Sequence, residues 1–154
     1  MYDIAILGLG PAGATLARLL SPSFSILALD KKSPAGDHGF HKPCGGLLAT
    51  DAQKSLARFG LSLPLHLLVD PQIFSVRTID IPADSVRHYQ RFYINLDRHA
   101  FDQWLMSLIP PHVEQHTGIR NTRVERRKDC FSIFWQENGE QRQADTRRIV
   151  GADG

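Results

Sequence analysis

Two short apolar runs and a helical pattern open the chain. Residues 2–7 form a mostly apolar run, which is typical of a strand buried on both faces. Leucines recur at helical spacing over residues 14–20, and a Ser-Pro pair then ends the helix. A second apolar run covers residues 24–29 and ends at Asp30. The pattern predicts a strand–turn–helix–strand unit of an α/β protein.

The middle of the chain has hydrophobic patterns of both helices and strands. Thr50 and Gln53 fit a capping box, with Thr50 as N-cap and Gln53 reaching back, and an apolar stripe carries the helix to Gly60. Residues 72–94 read as extended chain around a turn at residues 82–85, which predicts two strands. We expect these two strands to form an inserted sheet that belongs to the substrate side.

A further helix is predicted after residue 97, and it carries a cation in its first turn. Asn95 or Asp97 can cap this helix, and a double proline ends it. Arg98 opposes the helix dipole at a cost of about 0.3–1 kcal/mol. A carboxylate such as Asp97 or Asp102 can offset this cost, and so can a ligand anion. The residues leave both options open.

The last part of the chain predicts a β-meander. Residues 113–117 form a short strand, and residues 119–124 and 130–137 flank the turn of a hairpin. A third strand over residues 141–148 follows an Asn-Gly turn. The next two apolar residues return to the main sheet and lead into Gly-Ala-Asp-Gly.

The glycine-rich turn after the first strand has the GxGxxG spacing of a dinucleotide site. Gly8 allows a tight turn, Gly10 lets the backbone approach a pyrophosphate, and Gly13 lets the helix lie close to the strand. The helix N-terminus offers amide N–H groups to the phosphates. Asp30 can accept hydrogen bonds from the adenosine ribose. Together these features predict a dinucleotide site and leave FAD and NAD as alternatives.

Lys31 and Lys32 follow this acid and raise the question of NADP. The Asp30 carboxylate repels a 2′-phosphate, so we interpret the two lysines as solvated side chains rather than a phosphate site.

Composition excludes several classes of protein. The chain has 154 residues, 42% of them hydrophobic, and 18 Lys and Arg against 16 Asp and Glu. This balance gives no reason to expect nucleic acid or an anionic membrane as a partner. Cys44 and Cys130 lack CxxC spacing, so we expect neither a disulfide framework nor a metal site. Without a signal peptide or an apolar run of about 18 residues, the predicted location is cytoplasmic.

A second glycine pair lies in the loop after the second strand. Cys44 precedes Gly45 and Gly46, and such a pair lets backbone approach a flat ligand. The alternative is a plain turn before a helix. Cys44 is the single candidate for a catalytic residue, because His41 and Lys42 are close enough to lower a thiol pKa. A role limited to the shape of the loop is the alternative.

Four motifs in order resemble the geranylgeranyl-reductase-like branch of FAD-dependent oxidoreductases, within the p-hydroxybenzoate-hydroxylase-type flavoprotein superfamily. They are GLGPAG with Asp30, KPCGG at residues 42–46, DRHAFDQWL at residues 97–105 and GADG at residues 151–154. The resemblance spans the whole chain. It implies a Rossmann-like FAD-binding fold: a parallel sheet with a βαβ unit, an antiparallel β-meander crossover and part of an inserted substrate-domain sheet.

The resemblance implies FAD rather than NAD. The glycine motif and Asp30 are expected to hold the ADP half, and Arg98 is expected near the diphosphate. Asp153 is expected near the ribityl chain or diphosphate, and residues 44–46 beside the isoalloxazine. The expected cofactor-binding residues are Gly8, Gly10, Pro11, Ala12, Gly13, Asp30, Lys31, Cys44, Gly45, Gly46, Arg98, Asp153 and Gly154.

In the family, the Asp-Gly motif is followed by a further helix and most of the substrate domain. The resemblance therefore implies that residues 1–154 are an FAD-binding domain that is incomplete at its C-terminal end. We expect weak FAD binding and poor solubility of the isolated chain. Exposing a few hundred Å² of apolar surface at about 25 cal/mol per Å² rivals a domain stability of about 5–15 kcal/mol. If the protein contacts a membrane surface, we expect the contact to be made by the C-terminal part that the family has beyond the Asp-Gly motif.

Three functions remain from the sequence. The first is a reductase of isoprenoid-like or other apolar small molecules, with NAD(P)H as reductant. The second is an FAD-dependent monooxygenase, and the third is a non-catalytic dinucleotide-binding fragment. An NAD-dependent dehydrogenase fits the glycine motif but not the CGG and GADG motifs. The residues select neither NADH over NADPH nor an oligomeric state.

Overall fold

The structure is a computed structural model that describes residues 1–33 and 44–154. The loop predicted at residues 33–39 lies almost entirely outside the described residues, as do His41, Lys42 and Pro43. The elements in chain order are β1 (Tyr2–Leu7), α1 (Pro11–Leu19), β2 (Ile26–Asp30), β3 (Leu47–Leu48), α2 (Thr50–Arg58), a short 3-10 helix (Leu65–Leu67), β4 (Ile73–Asp80), β5 (Ser85–Asn95), α3 (Arg98–Ser107), β6 (Val113–Thr117), β7 (Arg120–Arg126), β8 (Phe131–Glu137) and β9 (Glu140–Gly151).

The chain divides into two compact units. The first, the nucleotide unit, comprises Met1–His41 and Asp102–Gly154, and the second, the hairpin unit, comprises Lys42–Phe101. Helix α3 crosses the boundary between them.

The nucleotide unit contains a six-stranded mixed sheet in the order β6-β2-β1-β9-β8-β7. Strand β1 runs parallel to β2 and β9, and β2 runs parallel to β6. Strands β7, β8 and β9 pair antiparallel, as the meander predicts. The βαβ unit, the parallel sheet and the meander predicted from the sequence are confirmed, and with them the α/β fold class.

Strand β9 joins the two halves of this sheet. Its first part pairs with β8, where Thr146 stands opposite Phe131, and its last part pairs with β1, where Gly151 stands opposite Leu7. The sequence predicts a meander strand and a separate return to the main sheet. The structure has one continuous strand of 12 residues instead, because no turn residue interrupts the extended pattern.

The core of the nucleotide unit lies between the parallel strands and the meander. All five residues of β2 are buried, which explains its unbroken apolar run. The buried cluster consists of Ala5, Leu27, Leu29, Ile119, Ile133 and Trp135. It combines side chains of β1 and β2 with side chains of β8 and of the turn after β6, so the meander covers one face of the parallel strands.

The hairpin unit contains a three-stranded antiparallel sheet in the order β3-β5-β4. The inserted pair of strands predicted over residues 72–94 corresponds to β4 and β5. The capping box predicted for α2 is wrong, because Ala49 is the N-cap and makes no side-chain bond. Gln53 instead donates from Nε2 to the carbonyls of Leu48 and Phe92, which ties the helix to β5. No helix within residues 1–33 and 44–154 has both the length and the apolar character needed to span a bilayer.

Candidate nucleotide-binding site

The glycine turn between β1 and α1 is shaped by contacts within the chain. Gly8 has a φ of +102°, and a Cβ on it would lie 2.6 Å from the carbonyl carbon and oxygen of Ala152. A Cβ on Gly13 would lie 1.9 Å from the carbonyl oxygen of Gly8. Only glycine fits at either position, because the turn, the start of α1 and the end of β9 approach one another backbone to backbone.

Helix α1 presents its N-terminus at this turn. Gly10 is the N-cap, Pro11 is the first helical residue, and the first helical bond runs from Ala14 N–H to the Gly10 carbonyl at 2.9 Å. The amides of the first turn precede that ladder and have no intrahelical acceptor. Ala12 is exposed, so side-chain bulk does not cover this end of the helix. The arrangement provides N–H donors and the positive end of the helix dipole to an anion such as a diphosphate.

Asp30 lies at the carboxyl end of β2, beside the glycine turn. Its side chain is buried, with 6% exposure. Oδ2 accepts the Leu9 N–H at 2.5 Å, and Oδ1 accepts the Lys32 N–H at 2.8 Å. Each carboxylate oxygen keeps a second lone pair, so hydrogen bonds to ribose hydroxyls remain available. Lys31 is exposed, as its interpretation as a solvated side chain predicts.

The Gly-Ala-Asp-Gly segment passes next to the same turn. Ala152 N–H donates to the carbonyl of Leu7 at 2.7 Å, and a Cβ on Gly8 would lie 2.7 Å from the Asp153 Cα. Asp153 and Gly154 are exposed, and Gly154 has a φ of +83°. The structure thus brings the first and last predicted motifs, from opposite ends of the sequence, to one edge of the sheet.

The CGG motif belongs to the hairpin unit. Gly46 is buried with a φ of +65°, and a Cβ on it would lie 2.1 Å from the Leu96 carbonyl oxygen. Leu96 N–H donates to the carbonyl of Gly46 at 2.9 Å, so the two backbones are in direct contact. No atom of residues 1–33 and 44–154 lies within 4 Å of the place where a Cβ on Gly45 would stand. Packing against the described residues therefore requires glycine at position 46 and does not require it at position 45.

Arg98 and Cys44 approach each other within the hairpin unit. Arg98 Nη1 lies 3.5 Å from the Cys44 Sγ, and the thiol is exposed. Asp97 caps α3, because its Oδ1 accepts the N–H groups of His99 at 2.8 Å and Ala100 at 3.0 Å. This carboxylate is bound by backbone N–H groups, so the first alternative, a carboxylate that offsets the charge of Arg98, stays a prediction. The other alternative, a ligand anion, stays a prediction.

Sequence reasoning missed a cluster of titratable side chains in the nucleotide unit. Tyr2 donates from its hydroxyl to Glu114 Oε2 at 2.5 Å, and His116 Nε2 lies 3.1 Å from Glu114 Oε1. The other imidazole nitrogen, Nδ1, lies 2.9 Å from Glu137 Oε2. A cavity of about 520 Å³ borders Tyr2, Glu114, His116 and Trp135.

These contacts change the acidity of two members of the cluster. Burial, followed by the hydrogen bond and charge of Glu114, raises the pKa of Tyr2 to about 12. The hydrogen bond from Tyr2, followed by that from His116, lowers the pKa of Glu114. No sequence signal points to the cluster, because its members lie on β1, β6 and β8 and meet only where the meander covers the parallel strands.

Comparison with known proteins identifies relatives that are longer than this chain. No family model matches the sequence. Protein CbrA of Escherichia coli strain K12 is 49% identical over 153 residues, which are 99% of this chain and 43% of that protein. Protein CbrA of Shigella flexneri serotype 5b is also 49% identical, over 42% of its length. The chain therefore spans less than half the length of the curated relatives that it matches.

Solved structures share the fold of this chain. A geranylgeranyl bacteriochlorophyll reductase-like protein from Thermoplasma acidophilum has a TM-score of 0.75 and 21% identity, over 99% of this chain and 39% of that one. A mutant flavin-dependent brominase has a TM-score of 0.77 and 22% identity, over 100% of this chain and 39% of that one. A flavoprotein/dehydrogenase from Cytophaga hutchinsonii has a TM-score of 0.71 and 18% identity, over 99% of this chain and 39% of that one. The fold is thus one that flavoproteins also have.

Proposed function

We propose that this chain is the FAD-binding part of a flavin-dependent oxidoreductase. One observation carries the proposal: the glycine turn, the N-terminus of α1, the Asp30 carboxylate and the Gly-Ala-Asp-Gly segment meet at one edge of the sheet. This edge offers phosphate donors and a ribose acceptor together. The flavin named for two of the structures that share the fold, the brominase and the flavoprotein/dehydrogenase, supports FAD as the dinucleotide.

In this proposal, each part of the cofactor is bound by different residues of the chain. The first-turn amides of α1 bind the diphosphate, and the Asp30 carboxylate accepts from the adenosine ribose. Asp153, which is exposed beside the turn, binds the ribityl or diphosphate region. Cys44, Gly45, Gly46 and Arg98 are proposed flavin contacts on the strength of the motif resemblance. When bound, the flavin supplies the redox chemistry, and the protein orients it and its substrate.

The proposed reaction is reduction of an apolar small molecule of the isoprenoid type, with NAD(P)H reducing the flavin. The KPCGG motif and the shared fold of the reductase-like protein support this choice. Hydroxylation by an FAD-dependent monooxygenase is the alternative reaction. A cytoplasmic location remains part of the proposal and follows from the sequence alone.

A non-catalytic role is the second candidate for the chain by itself. It is favoured by the short span of the chain relative to CbrA, because residues of the remaining length can complete the substrate side. In this case the chain binds ADP-containing dinucleotides without turning over NAD(P)H.

The first experiment is a titration of the purified chain with FAD, followed by flavin fluorescence and by the absorption spectrum after desalting. We expect saturable, weak binding with shifted flavin bands. The matched variant is Gly45→Ala, because the part of the chain that the structure describes places no atom within 4 Å of the new methyl group. It should keep the melting temperature and weaken FAD binding. Unchanged flavin spectra at every FAD concentration contradict the proposal.

Addition of NADH or NADPH to the FAD-loaded chain under anaerobic conditions separates the two candidates. Bleaching of the flavin absorbance supports a reductase part that is active by itself. Bound FAD that stays oxidised, and that dithionite reduces, supports the non-catalytic fragment.

A further inference from the structure

We propose that Asp30 is a positioning residue for the glycine turn, and that it holds this turn in shape whether or not a dinucleotide is bound. Its Oδ2 accepts the Leu9 N–H at 2.5 Å, across 21 positions of sequence. Leu9 is the residue between the first two glycines of the GxGxxG motif. The carboxylate therefore contacts the backbone of the turn directly and not only the space in front of it.

Burial makes this hydrogen bond necessary to the turn. Leu9 is 0% exposed and Asp30 is 6% exposed, so water cannot replace the carboxylate at the Leu9 N–H. A buried backbone N–H without an acceptor is strongly unfavourable, and a bond to a carboxylate is about twice as strong as one between neutral groups. In a turn rich in glycine, which has wide conformational freedom, one such bond selects among many backbone shapes.

The second carboxylate oxygen fixes the direction of the side chain. Oδ1 accepts the Lys32 N–H at 2.8 Å. The backbone around it is tied down as well, because Gly118 N–H donates to the Lys32 carbonyl at 3.0 Å and Ile119 N–H to the Asp30 carbonyl at 3.3 Å. Asp30 thus links the glycine turn to the end of β2 and to the turn after β6.

This arrangement assigns two separate tasks to one carboxylate. Two lone pairs, one on each oxygen, are used by backbone donors of the chain itself, and the others remain for a ligand. Replacing a residue that only binds ribose leaves the ligand-free protein unchanged. Replacing a residue that holds the turn alters the ligand-free protein itself, before any ligand binds. The positioning role does not depend on the proposed function, because both bonds join residues of this chain.

The test is the variant Asp30→Asn in the full chain without FAD. An asparagine side chain has one acceptor oxygen and one NH₂ group, so it accepts from Leu9 or from Lys32 but not from both. We expect hydrogen exchange at the Leu9 or Lys32 amide to become at least about tenfold faster, with a melting temperature lower by about 3–6 °C. For Asp30→Glu, both the exchange rate and the melting temperature should lie between those of Asp30→Asn and the wild type, because the carboxylate is kept.

Asp51→Asn is the matched control, because it removes the same charge from a side chain that is 98% exposed. It should leave exchange and melting unchanged. The opposite result for Asp30→Asn overturns the proposal. In that case the variant keeps wild-type exchange at both amides and a wild-type melting temperature, but it loses FAD affinity.

A wild-type measurement keeps the test decisive if the variant does not fold. In the wild-type chain without FAD, the Leu9 amide should exchange at least about tenfold more slowly than in an unfolded peptide of the same sequence. A Leu9 amide that exchanges at the unfolded rate while β1 stays protected also overturns the proposal.

Discussion

The two units differ in how completely they bury their apolar side chains. The nucleotide unit buries all of β2 and fills the space under the meander with Ile133 and Trp135. In the hairpin unit, α2 has no buried residue, and exposed side chains dominate both strands of the hairpin. Phe74, Ile79, Ile81, Val86 and Phe92 are each more than half exposed.

This contrast shows which part of the fold is stable by its own packing. Strands β1 and β2 are covered by the meander, so their apolar residues are buried within the unit. An antiparallel hairpin with apolar side chains in water is a marginal structure, and such a surface marks an interaction site or a site of aggregation. The expectation of poor solubility therefore falls on β4 and β5 rather than on the parallel sheet.

The largest effect should come from the backbone contact at the glycine turn. Gly13→Ala places a Cβ 1.9 Å from the Gly8 carbonyl oxygen, which neither backbone can avoid without moving α1 or the turn after β1. We expect a loss of about 3 kcal/mol or more in the free energy of unfolding, or failure to fold. Urea denaturation followed by circular dichroism measures it. Gly45→Ala in the hairpin unit is the control, and equal losses in both variants contradict the comparison.

The next effect tests burial in the two units directly. Leu27 is 0% exposed and Ile79 is 55% exposed. Leu27→Ala should lower the free energy of unfolding by about 2–5 kcal/mol, because it removes buried methyl groups and leaves a cavity. Ile79→Thr should change it by less than about 0.5 kcal/mol and reduce the binding of an apolar dye. Thermal unfolding and dye fluorescence provide the two readouts. Dye binding that persists after Ile79→Thr together with Val86→Thr places the exposed apolar surface elsewhere.

Local rules explain why much of the nucleotide unit could be predicted. The glycine turn, the helix behind Pro11 and the acid at Asp30 follow one another within 30 residues, and each has a local physical cause. The meander strands were predictable because Asn138 and Gly139 favour the positive φ values, 50° and 84°, of a tight hairpin turn.

Long-range register explains what the sequence could not show. Tyr2 and Glu114 are 112 positions apart and meet only because β6 lies at the edge of the sheet beside β2. The capping box failed for a related reason: Gln53 Nε2 donates to the carbonyls of Leu48 and of Phe92, 39 residues away, so a tertiary contact helps to orient this side chain. Asp30 combines the two cases: its place at the end of β2 was predictable from the sequence, and its hydrogen bond to Leu9 was not.

Alkaline pH should weaken the nucleotide unit through Tyr2. The folded-state pKa of Tyr2 is raised to about 12 from 10.0, so the folded chain holds this proton more tightly than the unfolded chain. The stabilisation is fully present below pH 10 and is lost as the pH rises towards 12. It corresponds to at most about 2.7 kcal/mol, and solvent around the half-buried phenol reduces it.

Tyr2→Phe is the variant that isolates this effect. It removes the titrating hydroxyl, so unfolding free energy should fall less steeply with pH in the variant than in the wild type over that interval. Urea midpoints measured at successive pH values provide the comparison. Parallel curves for the two proteins mean that Tyr2 is not the group responsible.

Acidic pH should produce the smallest effect, through Glu114. Hydrogen bonds from Tyr2 and His116 lower the pKa of Glu114 from 4.5, so the folded chain releases this proton more readily than the unfolded chain. The stabilisation is present above pH 4.5 and is lost as the pH falls below it. Because the Glu114 side chain is 53% exposed, we expect less than about 1 kcal/mol. Glu114→Gln should flatten the acid limb of the stability curve, and Glu140→Gln, which removes an exposed carboxylate paired with Arg142, should leave it unchanged. A wild-type acid limb in Glu114→Gln shows that solvent screens this contact fully and that Glu114 adds nothing measurable to the stability of the nucleotide unit.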